Sequence, residues 1–329
     1  MLAAVATAPV LILTLSYLPS PQCGFAASWG RTDSLPAAPL EQQEAAPSGL
    51  PVLCYHHISS NPMESYNVSP TRFGDHLEAL EEAGFFLIGP EDILDGLRSV
   101  PEDRHPVMLS FDDGWQDNMS LIRAPDGSLS IDPCCAAAIL RRFCDLHPDF
   151  GRAAVFFISW DKVPFGQESL VAEKMNMLLD MGFTIGNHTL RHTPYGILPA
   201  DRWESATVEP LRRFRDRLGL RALDISTLAY PGGWFPDASW ARESISSFDF
   251  MGRKAVQLGF LVNGEIARLS SVSGTRWGRF YIGRIDMSRY RISDVIASRS
   301  LVAIAGSRDD LHDPLRYRPL PMSDRAQSF

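Results

Sequence analysis

From Leu50 onward the chain alternates short apolar runs with amphipathic segments, and this alternation limits the folds that it can adopt. Strands separated by helices predict parallel pairing, because parallel neighbours need a long crossover connection. The runs are apolar almost throughout, which is typical of strands that are covered on both faces. They lie at residues 52–58, 85–88, 107–111, 153–159, 183–186, 226–230, 260–262 and 280–285.

This pattern predicts an α/β fold, either a closed barrel or an open doubly wound sheet. We favour a deformed (β/α)7-type barrel, because polar residues follow several different strands at the edge where such barrels build active sites. An open sheet usually gathers these residues near one switch point. Helix-capping residues agree with the succession. Helices are predicted to begin at Pro70, at Pro90 and, capped by Asp132, over residues 134–147, and glycines that follow helix ends are Gly84, Gly182 and Gly219.

The two ends of the chain differ from its middle. Residues 1–26 are apolar and read as a signal peptide cleaved after Ala26, although the first basic residue is Arg31, so an uncleaved anchor is the alternative. Residues 27–49 form a polar, proline- and alanine-rich linker. The domain proper is predicted at residues 50–306, and residues 307–329 form a polar tail. We therefore expect an exported protein that is periplasmic, cell-surface or extracellular.

The charge of the chain limits its partners. Its formal net charge is −8, and no basic patch stands out. Nucleic acid is therefore not expected as a partner, since binding it needs basic side chains that neutralise phosphates. Contact with a membrane is expected only through the N-terminal segment, if that segment stays uncleaved.

Two short motifs close apolar runs and carry the chemistry. Ser110 to Gly114 (Ser-Phe-Asp-Asp-Gly) ends a strand with two adjacent carboxylates, and His188 and His192 stand four residues apart after another strand. Residues at this spacing share one face of a helical turn, so both imidazoles can reach one metal ion. With one carboxylate they form a three-ligand site whose open position is typical of catalytic metals. The second carboxylate can then serve as a base toward the attacking water.

These motifs resemble those of the polysaccharide deacetylase family, the NodB-homology domain of carbohydrate esterase family 4. The resemblance implies a deformed β/α barrel that removes N-acetyl groups from polysaccharides with a divalent metal. It also implies that Asp112 is the general base and that Asp113, His188 and His192 are the metal ligands. Histidine and aspartate suit zinc, and cobalt or nickel fit the same ligands.

The family's third motif is matched loosely by residues 227–233. There the resemblance implies that the Tyr230 backbone N–H is an oxyanion donor, but Thr227 stands where the family's arginine is expected. Arg284 is the candidate that orients Asp112 instead.

The general acid has candidates at both ends of the chain. The opening strand, residues 51–58, resembles the subgroup that acts on poly-N-acetylglucosamine, in which the barrel is circularly permuted and a histidine of this strand is the acid. The match falls on His56, and period-2 alternation places His57 on the opposite face. His312, in Leu311-His312-Asp313, has the letters of the usual family motif, but no apolar strand precedes it.

Other candidates have weaker signals. Trp115 and Trp234 follow the first and third motifs and are predicted to stack on sugar rings, with a core or lid role as the alternative. Cys54 reads as a buried small apolar residue. His76, His105 and His147 read as surface or capping residues.

The predicted activity is metal-dependent hydrolysis of N-acetyl groups on a polysaccharide that contains N-acetylglucosamine, with release of acetate. Two alternatives stay open at this point. One is an esterase that acts on O-acetylated glycans, since the same centre would cleave an ester. The other is a catalytically silent carbohydrate-binding protein.

Overall fold

The computed structural model describes residues 49–268 and 278–297. The predicted signal peptide, all but the last residue of the linker, the polar tail and His312 lie outside these described residues. In the described part of the chain, no helix has the length and apolar character needed to cross a membrane.

One parallel sheet forms the centre of the domain. The strands are β1 (Val52–Tyr55), β2 (Phe85–Leu87), β3 (His105–Phe111), β4 (Val155–Ile158), β5 (Thr184–Asn187), β6 (Thr227–Ala229), β7 (Leu258–Phe260) and β8 (Ile285–Asp286). They follow each other around the sheet in the order β7-β6-β5-β4-β3-β1-β8, and β2 pairs with the first half of β3. All of these pairings are parallel.

The sheet curls until its two ends meet. Phe260 at the end of β7 forms a parallel bridge with Ile282, three positions before β8. The Leu261 N–H donates to the Ile282 carbonyl at 2.8 Å, and the Gly264 N–H donates to the Arg284 carbonyl at 3.0 Å. The curled sheet with this short seam confirms the predicted α/β fold of the deformed (β/α)7 type. The apolar run at residues 280–285 contributes only this bridge and the first residue of β8.

Helices cover the outside of the sheet. They are α1 (Pro70–Glu82), α2 (Pro90–Leu94), α3 (Ala136–Leu146), α4 (Val171–Asp180), α5 (Trp203–Leu218) and α6 (Ser239–Ser247). The Ser69 hydroxyl accepts from the Arg72 N–H at 3.2 Å and caps α1 as the sequence predicts. Helix α3 starts later than predicted, because Asp132 caps the preceding turn through the Cys134 N–H at 2.9 Å.

Four two-stranded sheets lie outside the central sheet in the described residues. Residues 115–133 contain a hairpin whose turn includes Gly127 at φ +86°. The pairs are Gly49–Leu50 with Ala267–Arg268, His57–Ile58 with Asn67–Val68, Leu121–Arg123 with Leu129–Ile131, and Asp249–Phe250 with Arg253–Lys254.

Alternation along the strands separates two apolar clusters. On β1, Leu53 and Tyr55 join the cluster beneath the helices, while Val52 joins a smaller cluster with Met108 and Phe157 inside the barrel. Successive side chains of a strand point to opposite faces, so residues 54 and 56 continue the inward face of Val52. By the same alternation, residues 110 and 112 lie on the inward face of Met108. The barrel interior therefore leads directly to the polar residues at the strand ends.

Candidate active site

A cavity of about 370 Å³ opens at the carboxyl ends of the strands. Six of the residues singled out by sequence line it, and they come from four separate segments of the chain. The lining includes His56, Tyr66, Asp112, Asp113, His188, His192, Tyr230, Gly232, Gly233, Asn263, Asp286, Arg289 and Tyr290.

Asp113, His188 and His192 converge at the cavity floor. Asp113 Oδ1 lies 3.4 Å from His188 Nε2 and 3.2 Å from His192 Nε2. Bonds of about 2.0 to 2.2 Å at tetrahedral angles would separate ligand atoms by about 3.3 to 3.6 Å. Asp113 Oδ1 is also buried without a hydrogen-bond partner. The three residues therefore fit a divalent metal ion, with the orphaned oxygen as one ligand atom.

The orientation of His188 supports this. Its Nδ1 lies 2.8 Å from the Ala229 carbonyl, which can only accept, so Nδ1 carries the proton. In the neutral imidazole Nε2 is then the unprotonated nitrogen, and it lies 3.4 Å from Asp113 Oδ1. A backbone carbonyl that fixes the tautomer in this way is typical of histidines that ligate metals.

The expectation that a helical turn joins the two histidines is wrong. Thr189 has φ +70° and His192 has φ +51°, so residues 188–192 form an irregular turn. The Asn187 side chain accepts from the Thr189 N–H at 2.8 Å, and the Thr189 carbonyl accepts from the Trp160 N–H at 3.3 Å. These bonds hold the segment in a loop conformation, and the loop brings the two imidazoles together.

Asp112 is held by a buried arginine. Arg284 donates to both carboxylate oxygens, at 2.6 and 2.7 Å; Arg284 is fully buried, and Asp112 is 2% exposed where it lines the cavity. Burial would raise the pKa of Asp112, but the Arg284 charge and then His188 outweigh it, and the pKa lies below its usual value. Asp112 is therefore a carboxylate with a fixed orientation beside the metal-ligand group.

Cys54 lies beneath the same carboxylate. Its thiol donates to Asp112 Oδ2 at 3.6 Å, and burial raises the pKa of the thiol well above its usual value. The side chain is buried as predicted, and it also contributes a neutral contact to Asp112. Cys54, Cys135 and Cys144 are free thiols.

The two adjacent histidines of the first strand separate as alternation predicts. His56 lines the cavity, and its Nδ1 is buried without a hydrogen-bond partner. Burial lowers the pKa of His56, although the carboxylates of Asp112, Asp113 and Asp286 favour its protonated form.

His57 lies outside the cavity. Its Nδ1 is 2.6 Å from Asp117 Oδ2 and 3.4 Å from Glu64 Oε2. The 2.6 Å separation is a direct hydrogen bond, shorter than two ligands of one metal ion would show. Burial opposes the charged imidazole, but the bond to Asp117 prevails and the pKa of His57 is raised. We therefore interpret this cluster as an ion pair.

Tyr230 lines the cavity, but its N–H already has a partner. The N–H donates to the Phe260 carbonyl at 3.0 Å, which continues the pairing of β6 and β7. The hydroxyl donates to the Phe280 carbonyl at 3.0 Å. The expected oxyanion role of this N–H is therefore corrected: in this structure the donor belongs to the barrel wall.

Neither of the two tryptophans that were predicted to stack on sugar rings, Trp115 and Trp234, lines the cavity. The Trp115 indole N–H donates to Asp113 Oδ2 at 2.9 Å. Trp234 is 55% exposed and lies against Gly196, just beyond the cavity residues Gly232 and Gly233.

Sequence reasoning missed several cavity residues, among them Asp286, Arg289 and Tyr66. Asp286 ends β8, where its Oδ2 contacts Arg289 Nε at 3.2 Å. Arg289 also donates to the hydroxyl of Tyr66, and the Tyr66 ring lies 5.1 Å from the His56 ring. An acidic residue that closes the last strand was the available signal for Asp286, whereas single residues in loops gave none for the other two.

His76 also differs from its prediction. It is buried in α1, and its Nδ1 lies 3.1 Å from the Tyr55 hydroxyl. Burial lowers the pKa of His76 to about 3. His76 is a neutral core residue and not a surface or capping residue.

Comparison with known proteins gives matches among solved structures. No protein-family model matches the chain, and no curated protein matches it. The polysaccharide deacetylase BC0361 of Bacillus cereus matches with a TM-score of 0.55 at 17% identity, over 77% of this chain and 69% of that one. Streptococcus pyogenes deacetylase PplD, solved in complex with acetate, matches with a TM-score of 0.53 at 18% identity, over 73% and 92%. IcaB from Ammonifex degensii matches with a TM-score of 0.51 at 20% identity, over 77% and 97%.

The chain has the fold of the polysaccharide deacetylases. The resemblance drawn from the two motifs is thus confirmed at the level of the fold. At these identities the activity has to be argued from the site itself.

Proposed function

We propose that this protein is a metal-dependent deacetylase that removes N-acetyl groups from a polysaccharide containing N-acetylglucosamine. The observation that carries the proposal is one arrangement: an Asp112 carboxylate, fixed by Arg284, directly beside Asp113, His188 and His192. It supplies a base and a metal-ligand group within one cavity. The solved deacetylases of the same fold support this assignment.

Asp113, His188 and His192 would hold the ion. Two histidines and one carboxylate suit zinc best, with cobalt or nickel as substitutes. A divalent ion bound there would polarise the acetamide carbonyl and lower the pKa of the attacking water.

Asp112 acts as the general base. Its lowered pKa keeps it ionised near neutral pH, so an oxygen of the carboxylate can accept the proton of the water that attacks the carbonyl carbon. The bidentate contact with Arg284 prevents the carboxylate from rotating away from this water.

His56 acts as the general acid. The bond between the carbonyl carbon and the glucosamine nitrogen breaks as that nitrogen takes the proton of the His56 imidazolium. Burial lowers the pKa of His56, which makes its imidazolium a stronger acid. The products are acetate and an amine on the polymer. Acetate is also the ligand named in the matched PplD structure.

An acetate-release assay tests the proposal. The purified chain, loaded with zinc or cobalt, is incubated with β-1,6- and β-1,4-linked N-acetylglucosamine oligomers, peptidoglycan and acetylxylan. We expect release from an N-acetyl substrate that stops when a chelator is added. Asp112→Asn should lower the rate by about 10²- to 10⁴-fold without loss of the metal. Asp126→Asn makes the same change in the exposed hairpin turn and should behave like the wild type.

The other outcomes each contradict the proposal. Release from acetylxylan alone would identify an O-acetyl esterase. No release from any substrate by a metal-loaded protein would favour a carbohydrate-binding protein. Undiminished release by Asp112→Asn would remove Asp112 as the base.

Export is part of the proposal because a polymeric cell-surface glycan has to be reached outside the cytoplasm. The mass of the mature protein shows where its chain begins and so tests whether it is exported. A chain that starts at Ala27 supports cleavage after Ala26, and an intact Met1 on a membrane-bound protein would indicate an anchor.

A further inference from the structure

Trp115 contacts a metal ligand and does not face the cavity. Its indole N–H donates to Asp113 Oδ2 at 2.9 Å, while Oδ1 of the same carboxylate faces the two histidines. The Trp115 backbone N–H donates to Asn118 Oδ1 at 3.2 Å and fixes the start of the side chain. The indole N–H is therefore hydrogen-bonded to the oxygen of Asp113 that does not face the two histidines.

Other side chains hold the indole ring in place. The His57 ring lies 4.2 Å from it, centroid to centroid, at an interplanar angle of 32°. Lys162 Nζ lies 3.9 Å from the ring centroid, within range of a cation–π contact. His57 is itself fixed by its 2.6 Å bond to Asp117. Both His57 and Lys162 therefore lie within contact distance of the indole ring.

The backbone of Asp113 is fixed by its loop, but its carboxylate is not. Asp113 has φ +73°, a conformation that is uncommon for residues other than glycine. The next residue, Gly114, has φ +69°, and its carbonyl accepts from the Phe165 N–H at 2.7 Å. The loop thus fixes the backbone, but the two oxygens of the carboxylate can still exchange by rotation about the last side-chain bond. A donor on Oδ2 selects Oδ1 as the ligand atom.

We propose that Trp115 is a positioning residue, which fixes Asp113 for one-oxygen ligation and so sets the affinity for the metal. The inference rests on the proposed function, because it takes Asp113, His188 and His192 as the ligands. Residues that hold ligands by hydrogen bonds typically contribute about 10- to 100-fold in metal affinity. Sugar stacking, the role expected from sequence, would act on the substrate instead.

Trp115→Phe tests the role, because phenylalanine keeps an aromatic ring beside His57 and Lys162 but has no N–H. The affinity for zinc is measured by competition with a chromogenic chelator in the absence of substrate. We expect about 10- to 100-fold weaker binding. At saturating metal, kcat should return to near the wild-type value with an unchanged KM for the glycan. Trp240→Phe, at an exposed tryptophan that stacks on Trp203 outside the cavity, should match the wild type in every measurement.

A second variant guards against a folding defect in the first. Asp117→Asn leaves Trp115 intact but weakens the hold on His57, and a smaller loss of zinc affinity in the same direction is expected. Thermal unfolding with chelator present shows whether each variant is folded.

Zinc affinity of folded Trp115→Phe within twofold of the wild type would overturn the inference, and a raised KM at unchanged zinc affinity would establish the sugar platform instead. A wild type that binds zinc but releases no acetate would refute the proposed function, while the affinity comparison would still decide the role of Trp115. A wild type that binds no zinc would overturn both.

Discussion

Arg284 is fully buried, and its guanidinium donates two hydrogen bonds to the Asp112 carboxylate. Replacing Arg284 should therefore have a specific effect on Asp112. Arg284→Lys keeps a positive charge but loses the two-point contact. Because Arg284 lowers the pKa of Asp112, this change should raise that pKa, and the base form will be lost at a higher pH. The acid limb of the kcat/KM profile should therefore move to higher pH, with kcat lower by about 10- to 100-fold.

The pair can be separated from general destabilisation by a second change. Arg284→Met leaves a buried carboxylate without its partner and should lower the free energy of unfolding by about 3 to 5 kcal/mol. Asp112→Asn in the same chain removes that unpaired charge and should restore part of the loss in denaturant titrations. An additive loss in the double variant would show that the two side chains are not coupled.

Individual residues differ in how well the sequence predicts them. Asp113, His188 and His192 stand in short motifs that close apolar runs, and the structure brings all three together. Alternation separated His56 from His57, but only the structure shows which one enters the cavity. The contact of Trp115 with Asp113 depends on a left-handed backbone conformation at residue 113, which no sequence pattern specifies.

Among the elements, α1 carries a histidine that the fold keeps neutral. His76 is buried, and its pKa is lowered to about 3, against about 6.5 in an unfolded chain. The unfolded chain therefore binds the proton first as pH falls. The contribution of the neutral His76 to the free energy of unfolding is complete above about pH 6.5. It is lost progressively as the pH falls toward 3, at about 1.4 kcal/mol per pH unit.

Denaturant titrations at pH 7 and pH 5 measure this effect. We expect that His76→Gln makes the free energy of unfolding less sensitive to pH by about 2 kcal/mol over this interval. Tyr55→Phe removes the hydroxyl next to the imidazole but leaves it buried, so its pH dependence should resemble that of the wild type. Equal pH dependence in His76→Gln and the wild type would contradict a neutral, buried His76.

The elements also show where sequence patterns stop being informative. Strands and long helices follow from apolar period and capping, as Ser69-Pro70 at the start of α1 illustrates. The turn at residues 188–192 does not, because its shape depends on a side-chain bond from Asn187 and on a tertiary bond from the Trp160 N–H. The spacing of His188 and His192 correctly indicated that their side chains lie together, but the helical turn on which this prediction was based does not form.

At the scale of the whole molecule, the site exists because the two ends of the domain meet. His56 follows the first strand of the sheet, Arg284 immediately precedes the last strand, Asp286 ends it, and β1 and β8 are direct neighbours. A sequence pattern predicts strands but not which strands adjoin. Arg284 could therefore be named as a partner of Asp112 only as a candidate, and the adjacency of β1 and β8 now explains its position.

The seam that closes the barrel is packed around Gly259 on β7. A methyl group there would lie 2.2 Å from the Tyr230 hydroxyl and 2.9 Å from the Phe280 carbonyl. Since the carbonyl belongs to the backbone, Gly259→Ala should force the seam apart and lower the free energy of unfolding by about 1 to 3 kcal/mol.

Loss of the proposed deacetylase activity should accompany this change, because Arg284 lies just beyond the seam and its Nε donates to the Leu261 carbonyl at 2.9 Å. Tyr230→Phe removes the hydroxyl that the new methyl group would meet first. Combined with Gly259→Ala, it should therefore destabilise the chain by less than the sum of the two single changes. Denaturant titrations of the four proteins measure this coupling. Full stability and activity of Gly259→Ala would mean that the seam is open in solution and that the site is held together by the remaining strands alone.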